Sequence, residues 1–146
     1  VELGKTIFNL LPCDNEFEEE FARFLNASDE VLAFANLGNL PGRLSIEHLD
    51  REANLRQYEP DFVARDANGT HWLIEIKGRE DIDVARKNER ASQWCEDVTL
   101  LTGKPWKFVM VPQKEFIPFK PGSFAELIAG LTAGSNLFVM EDSVQR

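Results

Sequence analysis

Cysteine is nearly absent, and that closes off two kinds of architecture. The chain has two, Cys13 and Cys95, far apart and with no His or further Cys at ligand spacing. Neither a disulfide framework nor a structural zinc site is indicated, and both are expected to be reduced, packed thiols. Long apolar runs are missing as well: nothing approaches the roughly 20 residues needed to span a bilayer. The opening VELGKTIFNLLPCDNEFEEE lacks the basic end, apolar stretch and cleavage site of a secretory signal. The expectation is a cytoplasmic protein with no membrane partner. There are two His, His48 and His71, and neither has a nucleophile partner in a recognisable motif, so triad chemistry gains no support. No GxxxxGK[ST] run is present, and so no phosphate-cradling nucleotide loop.

Positive charge is in deficit: 16 Lys and Arg stand against 25 Asp and Glu, a formal net charge of −9. A protein that holds duplex DNA unaided normally presents Lys and Arg to the phosphates, because counterion release supplies most non-specific affinity. Either the chain does not act on DNA, or it is a module delivered to DNA by another domain. A start at Val1 in place of Met is expected of a piece of a longer protein, and trimming would give the same start.

What is present is a foldable composition. With 146 residues, 43% of them hydrophobic, eleven Phe and three Trp, the chain is long enough for one globular domain with its own core and too short for two of ordinary size. No repeat, low-complexity tract or Gly/Ser linker divides it. In NEFEEEFARFLN, Phe17, Phe21, Phe24 and Leu25 fall at helical spacing, with Asp14 or Asn15 as a cap. Glu30 to Asn36 reads as a strand, and Asn39 to Gly42 as a turn. From Arg43 to Leu49 a weaker strand follows, in which His48 breaks the alternation. Gln57 to Arg65 and Thr70 to Lys77 read as two strands of a hairpin. Asp81 to Leu101 is helical, with Val84, Ala91, Cys95 and Val98 on one face, Asn88 as its polar member and Trp94 beside them, and it stops at Gly103-Lys104-Pro105. Trp106 to Val111 is a strand that Pro112 ends, followed by a short helix from about Ser123 to Leu131 and an apolar patch, Leu137 to Met140. The order is helix, strands, helix, strand: an α/β chain.

The chemistry centres on the hairpin. In Trp72-Leu73-Ile74-Glu75-Ile76-Lys77, period-two alternation puts Glu75 and Lys77 on one face and Ile74 and Ile76 on the other. Whether Asp61 joins them depends on the turn. A two-residue Asn68-Gly69 turn places Asp61 opposite Ile76, on the wrong face. A three-residue loop, Ala67-Asn68-Gly69, pairs Asp66 with Thr70 and Asp61 with Glu75. The sequence allows both; only the second makes a site, and it is the register expected. Two carboxylates opposed across strands repel unless a cation sits between them, and Mg²⁺ suits one or two carboxylates with water and phosphate oxygens completing its shell. Asp61 and Glu75 fit that role, the Ile76 carbonyl is a candidate third oxygen, and Lys77 can orient or deprotonate a water and neutralise charge on a phosphorane. Pro60, with no N–H, marks a strand start or bend before Asp61. Glu18, at helical spacing from Ala22 and Leu25, can reach a metal through water, or it can simply flank the core and favour its own helix end. The plain alternative for Glu75 and Lys77 is a solvated sheet face with an ion pair worth under about 1 kcal/mol.

At Tyr58-Glu59-Pro60-Asp61-Phe62 and Ile74-Glu75-Ile76-Lys77-Gly78 the sequence resembles the PD-(D/E)xK nuclease superfamily: Pro60-Asp61, thirteen residues, then Glu75-Ile76-Lys77. More narrowly, CDNEFEEEFARFL, YEPDFVAR and LIEIKGREDIDVARKNERASQWC resemble the C-terminal endonuclease region of type III restriction enzymes, in which a helicase is fused to this nuclease. The resemblance covers about Cys13 to Val111.

What it implies is a restriction-endonuclease-like αβββαβ core with a mixed central sheet flanked by helices, cutting DNA with Mg²⁺, for which Mn²⁺ can substitute. A helicase/ATPase region of the same polypeptide would supply DNA binding, and a modification subunit is a candidate partner. Asp61 and Glu75 match the metal ligands, Lys77 the catalytic lysine and Glu18 the accessory helix acid. Lys87 matches a recurring helix lysine for which phosphate contact is one role, against a plain exposed-helix reading that is slightly favoured. The competing function is a non-catalytic module that docks a helicase-containing partner through exposed aromatics, Trp106, Phe116 and Phe119.

Overall fold

The computed structural model describes residues 4–5, 16–37, 44–77 and 84–134, with the side chains of 77, 84–85 and 132–134 outside the description. The caps at Asp14 or Asn15, Cys13, the turn at 39–42, the helix start at Asp81 and the patch at 137–140 also lie outside the described residues. The elements run α1 (Glu16–Ala27), β1 (Val31–Asn36), β2 (Ile46–Leu49), β3 (Leu55–Tyr58), β4 (Phe62–Asp66) and β5 (His71–Lys77). They continue with α2 (Val84–Thr102), β6 (Trp106–Pro112), α3 (Gln113–Phe119) and α4 (Phe124–Gly134).

The strands form two sheets. The larger has the order β1-β4-β5-β6, and the smaller is the β2-β3 hairpin. β1 with β4 and β4 with β5 are antiparallel, whereas β5 and β6 are parallel with α2 as the crossover, so the central sheet is mixed. A parallel neighbour needs a connection of a dozen or more residues, usually a helix, and the long amphipathic run after Lys77 supplies it.

Alternation divides the buried residues between the two faces of this sheet. Phe34, Phe62, Ala64, Ile74 and Val111 pack with Phe17, Phe21, Ala22 and Leu25 of α1, Phe116 of α3 and Phe124, Leu127 and Leu131 of α4. Phe116 meets Phe17, Phe21 and Phe24 at ring-centroid distances of 5.7, 5.4 and 5.3 Å. Such aromatic pairs contribute about 0.5–1.5 kcal/mol each beyond area burial. On the other face Leu73 packs with Ile46 and Tyr58 of the hairpin and Ala91 and Cys95 of α2, with Trp94, Trp106 and Phe108 at the margin. The hairpin is tied to α2 by Arg86 Nη1 donating to the Asp50 carbonyl (3.2 Å) and Arg90 Nε donating to the Glu47 carbonyl (3.0 Å). Asn88, the polar member of the α2 face, donates to Met110 Sδ at 3.3 Å.

Three sequence expectations are corrected. The strand expected over Gln57 to Arg65 is two strands in different sheets, β3 and β4. Glu59-Pro60-Asp61 separates them, because buried Pro60 has no N–H with which to continue a ladder. His48 does not break the β2 pattern: Ile46 and His48 are both buried while Glu47 and Leu49 are exposed, a regular alternation. After Pro112 the chain turns at once into α3, an element not among those expected; α3 is seven residues long and contains Pro118, too short to show a helical period.

Candidate active site

The β4-β5 connection is built around Asp66. Its Oδ1 accepts from the backbone N–H of Asn68 (2.9 Å) and Thr70 (3.0 Å), and its Oδ2 accepts from Trp72 Nε1 (2.9 Å). The Asp66 N–H donates to the Thr70 carbonyl, and Gly69, at φ +84, donates to the Asp66 carbonyl. That left-handed backbone favours glycine. The turn is therefore the three-residue loop, and the ladder runs Arg65↔His71, Ala64↔Trp72, Val63↔Leu73, Phe62↔Ile74. The paired ladder ends at Phe62↔Ile74, one residue short of Asp61 and Glu75.

Asp61 closes the ladder in an unusual way. Its N–H donates to the Ile74 carbonyl at 3.2 Å, and its carbonyl accepts from the Leu37 N–H at 2.7 Å. Alternate residues of an antiparallel strand bond to the same neighbour; Thr70 and Ile74 do so toward β4, and Ile76 is next in that series. Its N–H is taken not by main chain but by Asp61 Oδ2, at 2.9 Å. The side chain thus substitutes for the ladder bond that ends at Pro60, and the Ile76 carbonyl leaves β5 on the same edge.

Glu75 lies on the β5 face that carries Leu73, against α2 and the hairpin, and is buried. Tyr58, the last residue of β3, packs with Leu73 in that cluster. Burial first, and then the charge of Glu75, push its phenol far above the ordinary tyrosine range, with hydrogen bonding to Glu75 and the charge of Asp61 acting in the same direction. Glu75 and Asp61 thus both act on this phenol. This is the feature sequence reasoning missed: Tyr58 stands in YEPDF, but its strand was merged with β4. Lys77 ends β5, paired with Pro112 of β6; its side chain lies outside the described part. Lys87, in α2, is half-buried.

Glu18 is held elsewhere. It is buried on α1 and accepts from Asn36 Nδ2, itself buried at the end of β1. Asn36 is paired with Phe62, a residue of the α1 face. Asp61 is thus tied to β5 at Ile76, the residue after Glu75, and Glu18 lies on the helix side of the sheet. Among the described residues, no group of three or more His, Cys, Asp and Glu is positioned to hold a metal ion. Carboxylate and carbonyl oxygens are the donor type that Mg²⁺ takes, commonly one or two protein carboxylates with water and phosphate in the remaining positions.

The aromatics named for partner docking are largely committed to the fold. Phe116 is buried in the α1 cluster. Trp106 stacks on His71 at 4.7 Å and meets Trp94 edge-on at 5.4 Å. Phe119 alone of the three is exposed, with its ring against Gly130. Cys95 is buried and its thiol is pushed up to about 12 by that burial and by the charge of Glu96, which makes it a packed thiol without nucleophilic character. Among the described residues, no helix is long and apolar enough to cross a membrane.

Comparison with protein-family models, with curated proteins and with solved structures finds no match for this chain.

Proposed function

We propose that the chain is the Mg²⁺-dependent endonuclease part of a DNA-cleaving enzyme of the type III restriction kind, with Asp61 and Glu75 as the metal-binding carboxylates. The observation that supports this reading is the three-residue Asp66–Gly69 turn and the ladder it sets, which ends at Phe62↔Ile74, with the Asp61 carboxylate next to it bonded to the Ile76 N–H.

The element series supports the same reading. With the β2-β3 hairpin set aside, the central sheet and its helices follow in the order α1, β1, β4, β5, α2, β6, the αβββαβ series expected of a PD-(D/E)xK nuclease.

Asp61, Glu75 and the Ile76 carbonyl would hold the cation. When bound, it supplies Lewis-acid polarisation of the scissile phosphate and a lowered pKa for a coordinated water. The protein's own share is positional. The Ile76 N–H fixes the Asp61 carboxylate against β5, the strand that carries Glu75. Lys77 is assigned to orient the attacking water and offset charge on the phosphorane. The net charge of −9 leaves DNA binding to an adjoining helicase region and makes the isolated chain a weak, salt-sensitive binder.

The test is calorimetric titration of Mg²⁺ and Mn²⁺ into wild type, Asp61→Ala and Glu75→Ala, with nicking of supercoiled plasmid at low salt as the second readout. Metal binding by wild type that both substitutions abolish is the expected result. A folded wild-type chain that binds neither metal at millimolar concentration, with DNA present or absent, overturns the assignment.

A further inference from the structure

We propose that the open half of the central sheet, the surface of β1 and β4 on the side where α2 packs, seats a single DNA strand, with Arg65 on a phosphate and His71 against a base. The choice of DNA rests on the nuclease reading; the cleft and its charge do not.

Coverage of the sheet is unequal. On the side of Leu73, α2 and the hairpin pack over β5 and β6, and no residue of β1 or β4 belongs to that cluster. Alternation decides what the uncovered strands present there. Their large residues, Phe34 and Phe62, turn toward α1. The intervening Ala33, Ala35 and Val63 are small, and above them lies a cleft of about 500 Å³ bordered by Lys5, Arg65 and His71. Pockets of about 300–1,000 Å³ take small ligands, so a duplex does not enter, whereas one strand can lie along the floor.

The charge of the cleft runs against that of the chain. Acids outnumber Lys and Arg 25 to 16 overall, yet a lysine, an arginine and a histidine line the cleft and no acid does. Lys5 is committed to the wall: its carbonyl accepts from the Phe34 N–H at 3.0 Å and its Nζ donates to the Ser28 carbonyl at 2.6 Å. Arg65 is exposed, and among the described residues no hydrogen bond or ion pair engages its guanidinium. Its cross-strand neighbours are Ala33 on one side and His71 on the other, and side chains so paired start about 4.5–5.5 Å apart.

His71 makes an unpaired strand a better occupant than an acidic peptide. Its ring is stacked on Trp106 at 4.7 Å and 17°, which fixes its plane. A fixed aromatic ring beside a cation meets both parts of a nucleotide, the base by stacking and the phosphate by charge. A peptide carboxylate would use the cation and leave the ring idle. The cleft also leads somewhere: Asp61 stands one residue before β4, and about 13 Å of strand separates it from Arg65 at 3.2–3.4 Å per residue. A chain of nucleotides held at Arg65 and lying along β4 reaches the proposed metal-binding end.

The test is NMR of the 146-residue chain labelled with ¹³C at its alanine methyl groups, in EDTA at low salt, titrated with a single-stranded thymidylate hexamer. The Ala33 and Ala35 resonances are expected to move, and those of Ala22 and Ala91, both fully buried, to stay. Arg65→Gln is expected to weaken binding and to lower the slope of log affinity against log salt by about 0.7, the share of one phosphate on a single strand. Arg23→Gln, exposed on α1, is expected to leave that slope unchanged. Cleft resonances that ignore the hexamer at millimolar concentration, an Arg65→Gln slope equal to wild type, or an equal response to hexaglutamate overturns the proposal. EDTA removes divalent metal, so each of these outcomes is independent of Mg²⁺ binding at Asp61 and Glu75, which the calorimetric titration decides by itself.

Discussion

The Ile76 N–H donates to Asp61 Oδ2 at 2.9 Å, so the first acid of the pair is fastened to the strand that carries the second. A carboxylate held by a backbone donor keeps its place whatever its other oxygen does. The position of the Asp61 carboxylate is thereby tied to the strand that carries Glu75.

The clasp between Asn36 and Glu18 predicts strong coupling across the other face. Both residues are buried, and the amide of one donates to the carboxylate of the other. Hydrogen bonds to charged groups contribute about 1.5–3 kcal/mol, and a stranded buried carboxylate costs at least as much. Urea unfolding of Asn36→Ala, Glu18→Ala and the double variant should give a coupling energy above about 1 kcal/mol. Simple additivity of the two losses would show that Glu18 does not depend on Asn36.

Much of this was legible from residue types. The β4-β5 hairpin and its Ala67-Asn68-Gly69 loop were legible, but the sequence allows a two- or a three-residue turn, and only the structure, with Gly69 at φ +84 and Asp66 bonded to Thr70, decides parity. The α1 face was equally plain, since Phe17, Phe21 and Leu25 recur at helical spacing and all are buried. The split between β3 and β4 was not. Both flanks of Pro60 are strand-like, and only the partners they find, β2 for one and β1 for the other, reveal that they belong to different sheets. Tyr58 was hidden for the same reason. The place of Phe116 depends on the turn into α3, a seven-residue element with Pro118 inside it, for which local propensity argues weakly. Asn36 carries no sequence signal at all; its role exists only because α1 delivers Glu18 to the end of β1.

The turn itself can be tested. A Cβ at Gly69 meets nothing within 4 Å, so substitution costs backbone strain alone. Gly69→Ala should lose about 1 kcal/mol, Gly69→Asn less, and Gly69→Val more than Ala. Equilibrium urea denaturation measures this series, and wild-type stability for Gly69→Val would contradict the left-handed turn. Deletion of Asn68 should be far worse. It demands the two-residue connection, shifts β4 by one, and turns Phe62 and Ala64 away from α1.

Asp50 sets an acid limit on the hairpin. Its Oδ2 accepts from Arg56 Nε at 2.8 Å, and its Oδ1 accepts from the backbone N–H of Glu52 and Asn54, both at 2.9 Å. The Arg56 guanidinium first, then the backbone N–H groups, lower its carboxyl from 3.8 to about 2. A depressed folded value means stability that is complete above the unfolded value and drains as pH falls from about 4 toward about 2. Urea midpoints of wild type and Asp50→Asn should therefore differ by a constant amount above the ordinary aspartate range and converge below it. A gap that persists unchanged to pH 2 would show that the carboxyl is not depressed.

The two faces of the central sheet also differ in when their parts become available. Everything on the acid-bearing side, from Ile46 and Tyr58 through Glu75, Ala91 and Cys95 to Phe108, precedes Pro112 in the chain. The opposite side waits for Phe116, Phe124, Leu127 and Leu131, and α4 draws one N-terminal acceptor, Glu30 Oε1 to the Ala125 N–H, from a residue made long before it. On a growing chain the half that holds Asp61 and Glu75 has all its components first, while Phe17, Phe21 and Phe24 stay uncovered until the last helices emerge. Nascent protein is thus vulnerable to aggregation through its phenylalanine side, at a stage when the acidic side can already close.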